Sequence, residues 1–412
     1  MKTFAIVGAG QAGCSAAMEL RRAGFDGRIV LIGDEVHLPY ERPPLSKAAL
    51  NPAGRALSLL QAADVFERER IEVWTGVRAE RIDAVARSLQ LDNGRTLAYD
   101  KLLLATGGLA RRLAIPGGEH ALTLRTWDDA QVLRERLNRR VGATGHLVVI
   151  GAGVIGLEVA ASARQMGWSV TVLEFSERPL ARLVPEAISR FMGNVHQAAG
   201  VVLRMNTGVQ AMTKTDDGSF EIRTSHGSLA ADLVVAGIGM QAHISLAEQA
   251  GAEVDGAVVV DEFGCTSLRH VYAAGDVASF WHPLSQRRMR LESWQHAAQH
   301  AQAVARNMLG PATAYDVVPW SWSDQFDINL QIMGQPLASE ETVWRGDVAS
   351  RKWVALHLRE GRVVGATLCN MGREMRPCKA LIESDAVLDK VLMVDETQPL
   401  RSLAASLAST ST

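Results

Sequence analysis

Two glycine-rich turns restrict this chain more than any other feature. Phe4-Ala-Ile-Val runs into Gly8-x-Gly10-x-x-Gly13, and Leu147-Val-Val-Ile runs into Gly151-x-Gly153-x-x-Gly156. Each turn follows an apolar strand, opens an alanine-rich helical stretch (residues 14–23 and 157–166) and leads to a second apolar strand, Arg28–Ile32 or Ser169–Leu173. That is a β-α-β unit written twice, at a period too long for a solenoid repeat. At 412 residues the chain exceeds the size at which a single core stops growing, so two nucleotide-binding domains are expected in one polypeptide.

The spacing has a chemical reason. The first glycine makes a tight turn, the second lets the backbone approach a pyrophosphate, and the third lets the helix pack against its strand. The helix N-terminus then presents unpaired N–H groups and a partial positive charge to the anion. A carboxylate at the end of the second strand completes such a site by accepting ribose hydroxyls. Asp34 and Glu35 stand there in the first unit and Glu174 in the second. A carboxylate at Glu174 repels a 2′-phosphate and so favours NADH over NADPH, a preference that nearby Arg178 and Arg182 could soften. Two dinucleotides in one chain suggest a hydride-donating nicotinamide paired with a flavin, which accepts two electrons together and can release them singly.

Composition removes other classes. Apolar residues make up 47% of the chain, as in a globular protein with a large core, and a net charge of −2 gives no basic excess for nucleic acid. Cys14, Cys265, Cys369 and Cys378 form no CxxC pair; this suits a reducing cytoplasm and supplies neither a disulfide framework nor a zinc site. The apolar start behind Lys2 is broken by Gly8, Gly10 and Gly13, so it reads as strand and turn rather than signal peptide. The longest apolar run, residues 147–161, is interrupted by Glu158 and is too short to span a membrane, so a soluble protein is expected.

The other segments order the domains. Residues 101–106 form an apolar strand closing in Gly107-Gly108, and Pro116-Gly117-Gly118 marks a domain crossing. Further apolar strands are expected at 229–238 and 270–274, with a boundary at Gly310-Pro311. Residues 342–344, Lys352–Arg359, the Glu360-Gly361 turn and Arg362–Cys369 read as an antiparallel meander, and the Ser-, Ala- and Thr-rich tail beyond residue 398 is expected to fray. The resulting expectation is an α/β chain with two Rossmann-like dinucleotide-binding domains, of the glutathione-reductase-like kind, and a C-terminal α+β domain with an antiparallel sheet. Its parts are 1–110 (FAD-binding, first part), 111–240 (NADH-binding), 241–318 (FAD-binding, second part) and 319–412 (C-terminal).

Further motifs narrow the class. Pro39-Tyr-Glu-Arg-Pro-Pro-Leu-Ser-Lys47, Ala105-Thr-Gly-Gly108, Leu124-Arg125-Thr126 and Gly151-Ala-Gly-Val-Ile-Gly-Leu-Glu158 occur in that order. Gly237-Ile-Gly239, Ala274-Gly-Asp-Val277, Glu292-Ser-Trp294 and Pro319-Trp-Ser-Trp-Ser-Asp-Gln325 follow. In these the chain resembles, over nearly its whole length, the FAD-dependent NADH:ferredoxin reductases of bacterial oxygenase systems. The resemblance implies hydride transfer from NADH to FAD, then single electrons to an acidic [2Fe-2S] ferredoxin. That ferredoxin would serve an aromatic-ring-hydroxylating dioxygenase, or alternatively a cytochrome P450; a rubredoxin is a further alternative partner. A redox-switch flavoprotein similar to apoptosis-inducing factor stays open. A disulfide, peroxide or CoA-disulfide reductase does not, since residues 42–47 hold no cysteine.

The resemblance also implies residue roles. Lys47 would lie by the flavin ring, Arg125 would meet the FAD, Asp276 would accept a ribityl hydroxyl, and Glu158 would sit near the nicotinamide. Read alone, Lys47 and Arg125 are ordinary surface charges, and Glu158 is a first-turn carboxylate favoured by the helix dipole. Trp294, Trp320 and Trp322 would surround the flavin and its exposed edge, with at least one of them only filling space. Lys47, Glu158 and Trp320 are thus the residues expected at the chemistry. The full cofactor-binding set adds Gly8, Gly10, Ala12, Gly13, Asp34, Glu35, Arg42, Val77, Ala105, Thr106, Gly107, Arg125, Gly275, Asp276, Glu292, Ser293 and Trp294. From the second turn onward it adds Gly151, Gly153, Ile155, Gly156, Glu174, Arg182, Gly237, Ile238 and Gly239. The chain departs from the family at Ala242-His243, where Pro-Asn is usual. Arg287-Arg288-Met-Arg290 is a candidate docking edge for an acidic partner. His296 and His300, at i, i+4 spacing without a third ligand, are expected on a helix surface near the flavin edge rather than in a metal site.

Overall fold

Strand Thr3–Val7 is apolar at consecutive positions because its two faces pack against different layers. Phe4 and Ile6, with Ile29, Leu31 and Leu103, are buried against residues of the helices Gln11–Arg22 and Trp294–Asn307. Ala5 and Val7, with Val30, Ile32, Leu102 and Leu104, are buried on the other side with Leu89, Leu91 and Leu97 of a small antiparallel sheet. This is a computed structural model, and it describes residues 1–51, 54, 56–139, 145–310 and 312–408. Pro311 and the last four residues lie outside that description.

Contacts divide the chain into two units. One comprises Met1–Pro43, Ala56–Leu109 and Met240–Val317, the other Pro44–Arg55, Ala110–Gly239 and Val318–Thr412. In the first, five parallel strands run in the order Val271–Ala273, Lys101–Leu104, Thr3–Val7, Arg28–Ile32, Ile71–Trp74. Strand order reverses at Thr3–Val7, which makes its carboxyl end a topological switch point, the usual ligand crevice of such sheets.

The second unit repeats the plan with parallel strands Val201–Arg204, Ser169–Leu173, His146–Ile150 and Leu233–Ala236. A three-stranded antiparallel sheet, Val209–Lys214, Phe220–Thr224 and Gly227–Ala231, adds Met212, Ile222 and Ala231 to the same core as Val148, Ile150 and Val234. The expected single strand at 229–238 is therefore two strands in two sheets. They are parted at Asp232, whose carboxylate accepts the His146 N–H at 2.8 Å. Apolar content continues across the break because both strands face one core, and that hid the turn.

The same unit contains a five-stranded antiparallel sheet in the order Trp320–Gln325, Ile328–Gly334, Arg362–Cys369, Lys352–Arg359, Glu341–Asp347. The last three strands are the expected meander. The tail beyond residue 398 does not fray at once: Leu400–Ala408 is helical, with Leu400 and Leu403 buried in a core shared with Cys378 and Leu381. One turn of spacing puts both leucines on one face, and that burial outweighs the polar composition.

Candidate functional site

Register brings the first cradle together. Val7 pairs with Ile32 and with Leu104, and Leu104 pairs with Ala273. The residues just beyond these strands, Gly8, Asp34 and Glu35, Ala105–Gly107, and Gly275 with Asp276, therefore leave the sheet along one edge. Gly8 has φ +110°, and a Cβ there would overlap the Ala105 carbonyl oxygen. A Cβ on Gly13 would overlap the Gly8 carbonyl oxygen, and one on Gly275 would stand 2.8 Å from Cβ of Ala12. Gly10 differs from these. Its Cβ would meet no protein atom within 4 Å, and it begins helix Gln11–Arg22 with no side-chain cap and no acidic residue in the first turn. Open space over an uncapped helix N-terminus fits an anionic diphosphate.

Of the two candidate ribose acids, Asp34 is exposed, whereas Glu35 accepts Tyr40 Oη–H at 2.6 Å and an Arg42 N–H at 2.6 Å. Arg42 also lies over the Tyr40 ring and feels the charge of Asp276. Main-chain bonds from Gly76 to the Glu35 carbonyl and from Val77 to Gly33 hold this corner. His243 is tied twice: its N–H donates to the Gly107 carbonyl, and its carbonyl accepts Thr106 Oγ1–H at 2.8 Å. His243 contributes only its backbone groups to both bonds, so neither depends on the unusual side chain at that position.

Ser293 caps the helix that carries Trp294 by accepting the His296 N–H, and Glu292 pairs with Arg290 at 2.5 Å. Arg288 donates to the carbonyls of Val260 and Ser279. Two of the three clustered arginines are thus held by the protein's own groups. His296 and His300 are not on a surface. Both are buried in an aromatic cluster with Phe280 and Tyr315, and His300 Nδ1 accepts the Gly275 N–H at 3.3 Å. Helix Trp294–Asn307 buries most of its circumference, which its alanines permit and which i, i+4 spacing alone does not reveal. Among the described residues no group of three or more His, Cys, Asp or Glu is placed to hold a metal ion.

The second cradle has the same logic. Ile150 pairs with Leu173 and Ala236, so Gly151, Glu174 and Gly237–Gly239 emerge together. Side chains at Gly151 and Gly156 are excluded by the carbonyls of Gly237 and Gly151, whereas Gly153 meets only Gly237 O, at 3.9 Å. Ile155, on the first turn of helix Val154–Gln165, is 43% exposed, and Ile238 packs on the core. Glu174 accepts the Ala152 N–H at 2.6 Å and the Ser176 N–H at 2.8 Å, which fixes the carboxylate beside the turn. Arg178 donates to the carbonyls of Val184 and Ala181 and is not poised for a phosphate; exposed Arg182 lies near Gly239. Arg125 precedes Thr126, the N-cap of helix Trp127–Asn138, and its N–H donates to Asp129.

Glu158 is not a first-turn carboxylate. It is the fifth residue of helix Val154–Gln165, whose first turn holds no acid, and it is only 2% exposed. Lys47 Nζ lies 3.1 Å from its Oε1, Ser323 Oγ donates to Oε1 at 2.6 Å, and Ser46 Oγ donates to Oε2. Burial pushes the Glu158 carboxyl up from its ordinary range, against the pull of Lys47, Ser323 and Ser46. Lys47 also lies 3.7 Å from Asp324 and 5.9 Å from the Trp322 ring centroid, and Trp322 stacks on Trp320 at 5.2 Å. Sequence reasoning missed Ser46, Ser323 and Gln325. Their signal lay in quoted motifs, beside Lys47 and at alternate positions of the strand that carries Trp320 and Trp322. Tyr40 likewise lay in a quoted motif, at its second position, whereas nothing in the sequence marks His196.

With this geometry in place, comparison with known proteins is informative. Residues 2–301 match the family described as pyridine nucleotide-disulphide oxidoreductase, and residues 320–404 match the reductase C-terminal family. The chain is 40% identical over 405 residues to the anthranilate 1,2-dioxygenase system ferredoxin–NAD(+) reductase component of Burkholderia cepacia, covering 97% of this chain and 98% of that one. Among solved structures it is similar to the ferredoxin reductase for the CYP199A2 system from Rhodopseudomonas palustris, with TM-score 0.92, 36% identity and coverage of 98% and 100%. It is also similar to putidaredoxin reductase in its covalent complex with putidaredoxin, with TM-score 0.93, 34% identity and coverage of 99% of each chain.

Proposed function

Because the chain belongs to the pyridine nucleotide-disulphide oxidoreductase family and carries a reductase C-terminal domain, we propose that it is the ferredoxin reductase of a multicomponent oxygenase, taking electrons from NADH and passing them singly to a [2Fe-2S] ferredoxin. The observation that carries this reading is the pair of open glycine cradles in a chain without a reactive thiol. Burial pushes Cys14, Cys369 and Cys378 up to about 12 and Cys265 up to about 11, so none supplies the thiolate that a disulfide reductase needs. The names of the relatives support an aromatic-ring dioxygenase as the system served, and the CYP199A2 reductase supports a P450 system as the second reading.

Bound FAD supplies the conversion between two-electron nicotinamide chemistry and one-electron iron–sulfur chemistry. The chain's own residues do the binding and orienting. The turn at Gly8–Gly13 holds a diphosphate on helix N–H groups, with Glu35 fixed by Tyr40 and Arg42 at the ribose. The turn at Gly151–Gly156 does the same for NADH, with Glu174 fixed by Ala152 and Ser176. Lys47 and Glu158 place a compensated charge pair next to the Trp320–Trp322 stack. No helix among the described residues is long and apolar enough to cross a membrane. The four unpaired cysteines support a cytoplasmic location.

Purified protein with NADH and cytochrome c, with and without a candidate [2Fe-2S] ferredoxin, tests the reading. Rapid cytochrome c reduction that depends on the ferredoxin is expected. Slow flavin reduction by NADH, insensitive to any ferredoxin, would instead favour a redox-switch flavoprotein. An anaerobic NADH titration should bleach the flavin band and raise a long-wavelength absorbance. Because Glu174 is held by two amides and Arg178 by two carbonyls, kcat/KM for NADH should exceed that for NADPH by about a hundredfold, or about 2.7 kcal/mol. Equal values for the two nucleotides would contradict the assignment of Glu174.

A further inference from the structure

Behind Glu158, in the same unit, runs a chain of buried polar side chains that the reaction does not by itself require. His196 Nε2 lies 2.7 Å from Gln325 Oε1, Gln325 Nε2 donates to Ser323 Oγ at 2.8 Å, and Ser323 Oγ donates to Glu158 Oε1 at 2.6 Å. All four side chains are at most 2% exposed. They come from three elements: helix Glu186–Ala198, strand Trp320–Gln325 and helix Val154–Gln165. Ser46 closes the other carboxylate oxygen, and Ser162 Oγ–H in turn donates to the Ser46 carbonyl at 2.8 Å.

The direction of this chain is set at its far end. His196 Nδ1 is buried and has no hydrogen-bond partner among the described residues, and the ring packs edge-on against Phe326. A neutral imidazole carries one proton. On Nδ1 it would be a buried donor with no acceptor, whereas on Nε2 it meets the Gln325 oxygen. With Nε2–H donating, Gln325 must present its oxygen to His196 and its amide N–H to Ser323. Ser323, already accepting, then turns its own proton to Glu158. For Glu158 to hold a proton facing Ser323, either the Ser323 hydroxyl hydrogen loses its buried acceptor, or the Gln325 amide flips and leaves a buried donor unpaired at His196.

We propose that His196, Gln325 and Ser323 form a one-way hydrogen-bond relay that holds Glu158 in its ionised form, and that they are positioning residues for that carboxylate. The inference that this matters for hydride transfer rests on the proposed place of Glu158 at the nicotinamide end of the site. Lys47 is the charged group at Glu158 itself, Asp324 lies beyond Lys47, and His196 is the titratable group at the end of the relay. Burial holds His196 below its ordinary pKa, which favours the neutral ring, and its unpartnered Nδ1 sets the tautomer.

The test uses FAD-loaded protein. Urea unfolding of wild type, Ser323→Ala, Glu158→Gln and the double variant forms a thermodynamic cycle, and Gln325→Leu with Glu158→Gln forms a second. The unfolding constants should depart from multiplicative behaviour by at least fivefold in both cycles. Multiplicative constants in both would overturn the relay. Stopped-flow flavin reduction by NADH across pH gives an independent readout. The Glu158-dependent limb should move up by one pH unit or more in Ser323→Ala and in Gln325→Leu, and return in Ser323→Thr, which keeps the hydroxyl. A limb that stays in place in both variants while Glu158→Gln abolishes it also overturns the proposal. If Glu158→Gln leaves flavin reduction unchanged at every pH, the placing of Glu158 at the hydride end is what fails, and the unfolding cycles alone decide the relay.

Discussion

Alanine at Gly8 is expected to remove FAD and destabilise the fold together, whereas alanine at Gly10 should remove FAD and leave the fold intact. The two glycines stand two residues apart in one turn, yet their surroundings are opposite. At Gly8 the backbone has φ +110° and a Cβ would overlap the Ala105 carbonyl oxygen. The left-handed conformation alone costs about 1–2 kcal/mol with a side chain present, and displacing the neighbouring strand end brings the expected loss to about 3 kcal/mol or more. At Gly10 no protein atom lies within 4 Å of the added methyl, so only a ligand can object to it. FAD affinity in Gly10→Ala should fall about a hundredfold or more, about 2.7 kcal/mol. The measurements are the flavin-to-protein absorbance ratio after gel filtration and the thermal unfolding of stripped protein. A Gly10→Ala protein that keeps FAD with wild-type affinity would remove the diphosphate from this turn.

Mild acid is expected to destabilise the protein well before its carboxylates titrate. Burial holds His296 well below its ordinary pKa, His300 down at about 3 and His357 down at about 4. The unfolded chain takes up these protons near pH 6.5, while the folded chain takes them up only far lower. Between those limits the unfolded state binds more protons, so stability falls as pH falls. His296 and His300 together should remove about 3 kcal/mol between pH 6.5 and pH 5, with His357 adding to the slope. Urea unfolding at pH 5, 6, 7 and 8 gives the slope directly. His296→Phe should flatten it by up to about 1.4 kcal/mol per pH unit, with little loss at pH 8, because neither His296 nitrogen has a hydrogen-bond partner among the described residues and the ring stacks on Phe280. A pH-independent unfolding free energy across this range would contradict the burial of the three imidazoles.

Much of this was legible in the chain itself. The two strand–turn–helix units, their acidic residues and the C-terminal meander follow from periods of two and 3.6 and from glycine at fixed offsets, which are local signals. Besides the strand expected at 229–238, three expectations failed where a local pattern has more than one tertiary outcome. His296 and His300 have surface-like spacing, but small alanines let the helix bury nearly all round. The polar tail beyond residue 398 becomes helical because Leu400 and Leu403 find a core to enter. Glu158 lies one position past the first turn, where the helix dipole no longer explains a carboxylate and burial requires partners.

By itself the sequence pointed to two dinucleotides and to no redox cysteine among residues 42–47, and its family resemblance implied a one-electron acceptor. It did so because cradle glycines, candidate ribose acids and the lack of a cysteine in that motif are each readable within a few residues. Only the tertiary structure decided which acid is anchored, Glu35 by Tyr40 and Arg42. It also decided which arginines are already held by carbonyls, and what surrounds Glu158. Glu35 meets Tyr40 and Arg42 through the folding of its own loop, whereas the surroundings of Glu158 depend on side chains up to 165 positions apart meeting at hydrogen-bond distance. No local pattern encodes such a meeting, because the folded register, not the spacing along the chain, brings the partners together.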